Sequence, residues 1–493
     1  MKLTPCAPQR APPAPQRGAE ASSPERPVAL AMPEDPALAY LLAHKDRHLA
    51  ELFDLLRIPS VSAQPAKHAK DIERAAEFIA SAMRDAGLEG VKLVATPGNP
   101  IVYGEWLHAP GAPTVLCYGH YDVQPPEPIE LWDSPPFEPT VRDGKIFARG
   151  ATDDKGQMYA HIKAVEAHLK GVGRLPVNVK FLIEGEEEVG SKNLDAAIER
   201  MKKELRCDVV LVSDTAMKAM GQPAITYSLR GLIYFQVDVS GPKSDLHSGT
   251  YGGALANPAE SLVQMLAKVK DAKTGAVKIP GFYAGVKLSK AERAALAKSG
   301  MRDVDIRKQT GVKELWGERG YTPGERASVR PTFEVNGIYG GYQGDGAKTV
   351  LPSHAHAKVS MRLVEGQDPK RIAKAFEGYL KQNALPGTTV KVAQLSAGMG
   401  AKVPPEHPAM LAATRALRST FGKAPHFLAE GGSIPVVATF QRVLGVNTVL
   451  MGFGLHDENL HAPNEHFRIE NYHKGIQATA RFFSELSVQG SER

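Results

Sequence analysis

The sequence predicts an α/β protein, a mixed sheet flanked by helices, with a small ferredoxin-like α+β domain inserted into it. Short apolar runs alternate with stretches of helical periodicity in the first half and again near the end. The part between them has the order βαββαβ, which suits a ferredoxin-like unit. Each early apolar run also ends in acidic residues or histidine, and ligands of open α/β sheets sit beyond the carboxyl ends of the strands.

In chain order, residues 1–36 are rich in Pro, Ala, Arg and Ser and lack an apolar core, which predicts a disordered arm rather than a signal peptide. A start at Met32 would also account for this segment. Ile72, Ala76, Ile79, Met83 and Ala86 fall at helical spacing. Residues 115–118, 177–183 and 209–212 read as buried strands, ending in Gly119-His120, Glu184-Gly185 and Ser213-Asp214. Residues 157–169 read as a helix between the first two of these strands. The main domain thus runs over 37–225 and resumes over 402–493, with a helix at 408–420 and a strand at 446–451. Within the insertion, 226–401, Ile233, Phe235, Val237 and Val239 alternate as in a half-exposed strand. A helix at 259–269, strands at 332–338 and 358–363, a helix at 369–382 and a strand at 389–392 follow. The polar stretch 280–330 has no readable pattern.

Composition excludes several classes. A net charge of +6 on 493 residues, without a basic block beyond the first residues, argues against nucleic-acid binding. No apolar run approaches the roughly 20 residues of a membrane helix. Cys6, Cys117 and Cys207 are too scattered for a disulfide framework or a cysteine zinc site, which fits a reducing, cytoplasmic setting.

Five clusters could carry chemistry: Gly119-His120-Tyr121-Asp122, Gly150 to Gly156 with Asp153-Asp154, Glu184 to Glu188, Ser213-Asp214, and His461-Ala462-Pro463-Asn464-Glu465. Singly, each has a bland explanation: a surface His-x-Asp pair, a solvated acidic face, or a helix start favoured by the helix dipole. Together, four of them fall at or just after predicted strand ends. Burying so many carboxylates is costly without cations. Imidazole and carboxylate donors without cysteine suit a catalytic pair of divalent ions, zinc first, with manganese or cobalt as alternatives.

The stretches Gly119-His120-Tyr121-Asp122-Val123-Gln124-Pro125, Ala148 to Gly156, Glu184 to Ser191 and Leu211-Val212-Ser213-Asp214 resemble a known family. It is the dinuclear-zinc metallopeptidase family of carnosinase-like cytosolic dipeptidases, acetylornithine deacetylase, succinyl-diaminopimelate desuccinylase and glutamate carboxypeptidase. The resemblance covers nearly everything after the arm. It implies a zinc-peptidase catalytic domain whose insertion is a lid and dimerisation domain. It implies that His120, Asp153 and Asp214 hold one ion and that Asp153, Glu188 and His461 hold the other, with Asp153 bridging. Asp122 would orient His120, Glu187 would be the general base for a metal-activated bridging water, and the Asp153-Asp154 peptide would be cis. His247, in Asp245-Leu246-His247-Ser248-Gly249, resembles the histidine that reaches the partner's site in a homodimer. Arg362 resembles the arginine that grips the substrate carboxylate, and Gly432 and Ser433 resemble a substrate-binding loop. Asp at position 214 and the Gln124-Pro125 context resemble the dipeptidase branch, so the expected substrate is a dipeptide or other small peptide. The alternative is an N-acyl-amino-acid deacylase. A non-enzymatic peptide-binding protein would need a lost ligand or base, and none is lost.

Overall fold

The computed structural model describes residues 35–490 except Ser433. The expected arm and the Met32 start therefore lie outside the described residues, save for Asp35 and Pro36. Asp35 caps the first helix, Pro36–Ala43, its carboxylate accepting from the Ala37 amide at 2.9 Å.

The larger unit is built on a nine-stranded mixed sheet. Its centre is four parallel neighbours in the order Asn178–Glu184, Thr114–His120, Val209–Val212 and Asn447–Leu450. These strands are buried and largely apolar because helices cover both faces. On one face the helix Lys155–Gly171 lies between the sheet and the outer helices Pro65–Ala86 and Ile469–Gly490, and almost its whole length is buried. The register sets His120 opposite Glu184 and Tyr118 opposite Val212, so the chemistry-bearing ends of three strands come level.

The chain leaves this sheet at Leu229 and enters a second sheet at Gly231, slightly later than the change of texture expected near 226. The second sheet has four antiparallel strands in the order Thr332–Gly340, His354–Leu363, Gly231–Ser240 and Thr389–Gly398. The helices Pro258–Val269 and Pro369–Asn383 cover one face. This is the ferredoxin-like arrangement that the βαββαβ order predicts. Strand Gly231–Ser240 alternates strictly between buried and half-buried residues, and Phe235 and Phe333 pack on Phe376 with ring centroids 5.0 and 5.8 Å away.

The stretch 280–330 holds three short helices, Lys290–Ser299, Asp303–Thr310 and Pro323–Ser328. Two of them start with capping boxes, Ser289 with Glu292 and Thr322 with Glu325.

Candidate metal centre and active site

Five side chains converge beyond the carboxyl ends of the central strands. His120, Asp153 and Asp214 bring one donor atom each within 4.8 Å of one another, and so do Asp153, Glu188 and His461. Asp153 belongs to both groups.

His120 is fully buried and its ring is fixed: Nδ1 donates to the Asp122 carbonyl oxygen at 3.0 Å. That leaves Nε2 as the free lone pair. It faces Asp153 Oδ1 at 3.2 Å and Asp214 Oδ2 at 3.9 Å but has no aligned hydrogen bond. A buried nitrogen without a partner, aimed at two carboxylates, fits a cation between them. On the other side, His461 Nε2 lies 2.9 Å from Asp153 Oδ2 and 3.3 Å from Glu188 Oε2. Gln124 Nε2 donates to Glu188 Oε2 at 2.8 Å. The Asp153-Asp154 peptide is cis, as the resemblance implies.

Asp122 meets His120 through its backbone. Its carbonyl, rather than its carboxylate, receives the His120 proton. The carboxylate instead accepts the amides of Glu187 at 3.2 Å and Glu188 at 3.1 Å, and stands 3.5 Å from His120 Nδ1. One residue thus positions the histidine and the acidic turn together. Of the acidic triple, Glu186 turns away, its carboxylate held by Asn193 Nδ2 and the Asn99 amide. Glu187 stays half-buried beside the ligand groups, and burial, followed by Asp153 and Asp122, raises its pKa against the pull of His120 and His461.

The remaining electrostatics follow from crowding. Burial would raise the Asp153 pKa, but the neighbouring imidazoles of His120 and His461 overcome that and hold it low. His461 is pushed up to about 9, chiefly by its hydrogen bond to Asp153. Glu188 and Asp214 are each pushed up to about 8, by burial first and the Asp153 charge second. A cation-free folded chain therefore keeps protons that an unfolded one releases, so these two groups cost stability as pH rises from the ordinary carboxylate range through about 8. Cation binding must displace those protons. Calorimetric titration of the chelated protein with Zn2+, in neutral buffers of different ionisation enthalpy, is expected to show net proton release. Binding without proton release would contradict this picture.

Arg362 stands elsewhere in the fold, half-buried on strand His354–Leu363. It lines a cleft of about 570 Å3 with Arg230, Trp316, Arg326 and Arg330. Arg230, which the sequence offered no reason to single out, ties the Gly431-Gly432 loop to the start of the second sheet. Its amide donates to the Gly432 carbonyl and its Nε to the Gly431 carbonyl, both at 3.1 Å. Its pKa is lowered to about 10, by burial and then by Arg362. Ser433 lies outside the described residues. His247 is exposed on the short strand Leu246–His247, and its Nδ1 accepts from the Gly249 amide at 3.0 Å. None of its hydrogen bonds reaches the acidic cluster. Among the described residues, no helix is long and apolar enough to cross a membrane.

Comparison with known proteins agrees with this architecture. The chain is 32% identical to the Cys-Gly metallodipeptidase dug1 of Schizosaccharomyces pombe, over 90% of this chain and 96% of that protein. It is 31% identical to the human Beta-Ala-His dipeptidase over 94% of each. Among solved structures, an M20 family metallo-carboxypeptidase, Sso-CP2 from Sulfolobus solfataricus, superposes with a TM-score of 0.79 at 32% identity, covering 90% of this chain and 100% of that one. The di-peptidase Dug1p from Saccharomyces cerevisiae superposes with a TM-score of 0.74 at 29% identity, over 92% and 98%. Residues 116–485 match the model of peptidase family M20/M25/M40, and the chain belongs to that family.

Proposed function

We propose that this chain is a dinuclear metallopeptidase that hydrolyses the amide bond of dipeptides and other small peptides. The observation that carries this reading is the pair of three-donor groups sharing Asp153 beside Glu187. His120, Asp153 and Asp214 would hold one divalent cation and Asp153, Glu188 and His461 the other, zinc by donor chemistry, with manganese or cobalt able to replace it. Bound there, the two ions would activate a water as nucleophile and polarise the scissile carbonyl.

The other roles belong to the chain itself. Glu187 takes the proton of the attacking water and returns it to the leaving amine. Its raised pKa suits both transfers. Asp122 keeps Glu187 and His120 in mutual register through the hydrogen bonds described above. Arg362 pairs with the substrate carboxylate through its planar guanidinium, and Gly432 and Ser433 contribute to substrate binding. The protein works as a homodimer through the inserted domain, and His247 of the partner subunit stabilises charge developing on the carbonyl oxygen. The outer strand Thr332–Gly340 supports such pairing, since it leaves Val335, Ile338 and Tyr339 exposed. A cytoplasmic location fits the free, buried Cys117 and Cys207.

The dipeptidase names of the relatives favour a peptide over an N-acyl amino acid as substrate. Turnover of a dipeptide panel, compared with N-acetyl and N-succinyl amino acids, tests this. Preference for the dipeptides is expected, and preference for the N-acyl compounds would favour the deacylase reading.

A further inference from the structure

Glu465 closes the His461 to Glu465 segment and offers no atom to either three-donor group. It is nonetheless 1% exposed, and its carboxylate takes four donors. Oε2 accepts Arg149 Nη1 at 2.7 Å and the Gly150 amide at 3.1 Å. Oε1 accepts the amides of Thr152 and Asp153, both at 3.2 Å. Its own carbonyl accepts the Ala148 amide at 3.1 Å. One residue therefore ties down the backbone of the whole turn that delivers Asp153.

The turn is tight. Gly150 has φ of +82°, and a Cβ there would stand 2.7 Å from Val123 Cγ1. From the same late part of the chain, Glu458 Oε2 accepts the Thr152 hydroxyl at 2.9 Å. The Asp153 amide is thus held by the same five-residue segment that supplies His461 to the second donor group.

We infer that Glu465 is a positioning residue that fixes the shared carboxylate of Asp153 and so sets the affinity of both cations together. A carboxylate is required because every contact is a donor. Glutamine would turn its NH2 toward either the Thr152 and Asp153 amides or Arg149 and Gly150, losing acceptors on that side and leaving part of the buried arrangement unpaired. The consequence must be joint. A displaced Asp153 weakens both groups, whereas loss of His461 or Asp214 removes a donor from one group alone.

This inference rests on the proposal that Asp153 bridges two ions, and the test separates the two. Chelated full-length protein is titrated with Co2+ against a chromophoric chelator, with circular dichroism to confirm the fold. Wild type is expected to bind two ions, His461→Ala to keep one site near its original affinity, and Asp153→Ala to lose tight binding at both. Glu465→Gln is expected to keep the native dichroism while both dissociation constants rise about 10–100-fold. A folded Glu465→Gln protein with both constants unchanged, or with only one raised, overturns the inference while leaving the bridging reading intact. Wild type binding a single ion, or Asp153→Ala retaining a tight site, overturns the bridging reading and this inference with it. Should Glu465→Gln fail to fold, Glu465→Asp decides. It keeps the charge but cannot span all four donors, so both constants should still rise, and unchanged constants in the folded protein overturn the inference.

Discussion

Glu187→Gln is expected to leave both cation groups loaded and to cut turnover by about 10²–10⁴-fold or more. Glutamine is nearly isosteric, and the contact that fixes the residue is made by its backbone amide to Asp122 Oδ1, which the substitution keeps. Glu187 also belongs to neither three-donor group, so metal content should survive. What is lost is the ability to hold a proton between the attacking water and the leaving amine. Burial beside Asp153 and Asp122 raises the Glu187 pKa, which makes its carboxyl a better proton acceptor than an exposed glutamate. The check is kcat for a dipeptide on protein whose metal content has been measured. Near-normal turnover in the loaded variant would remove Glu187 from the mechanism.

His247→Ala and Glu187→Gln chains, each nearly inactive alone, are expected to regain activity when co-assembled. His247 sits on an exposed edge of the inserted domain, and its side chain bonds within its own turn. If it acts across a two-fold interface, a mixed dimer has one site with an intact Glu187 and an intact histidine from the partner, while the other site carries both defects. Random mixing should then restore about a quarter of the wild-type activity. Mixed dimers that demonstrably form and stay inactive would place His247 outside the reaction.

The parts of the fold that were legible in the sequence are those with one dominant physical signal. The central strands are buried on both faces, so they read as largely apolar runs, and the parallel register then forces their polar ends into one place. Strand Gly231–Ser240 is buried on one face only, and its period of two was equally plain. The edge strand Glu89–Val94 carries neither signal, because none of its residues is fully buried. The helices within 280–330 lack a strong apolar stripe. Their starts were nevertheless written as Ser289-x-x-Glu292 and Thr322-x-x-Glu325, and could have been read.

The same division holds at the site. Donor types and strand-end positions suggested that the clusters around His120, Glu184 to Glu188 and Asp214 would meet, because both follow from local sequence, while the choice of Glu188 within its cluster came from the family resemblance. The distribution of Asp122 between carbonyl and carboxylate contacts depends on where the Glu187 turn docks, a long-range fact. The same is true of Glu465, which lies 312 residues from the Asp153 amide it holds. Arg230 carried no local signal either, since its contacts to the Gly431-Gly432 loop exist only once both sheets are in place.

On the proposed mechanism, two cations sharing Asp153 are needed to cleave a dipeptide. The direct measurement is dipeptide hydrolysis by the chelated protein as Zn2+ is added back in known molar equivalents. Little activity after the first equivalent and full activity only at two per chain is the predicted result. Full activity at one equivalent, in protein shown to hold a single ion, would contradict it.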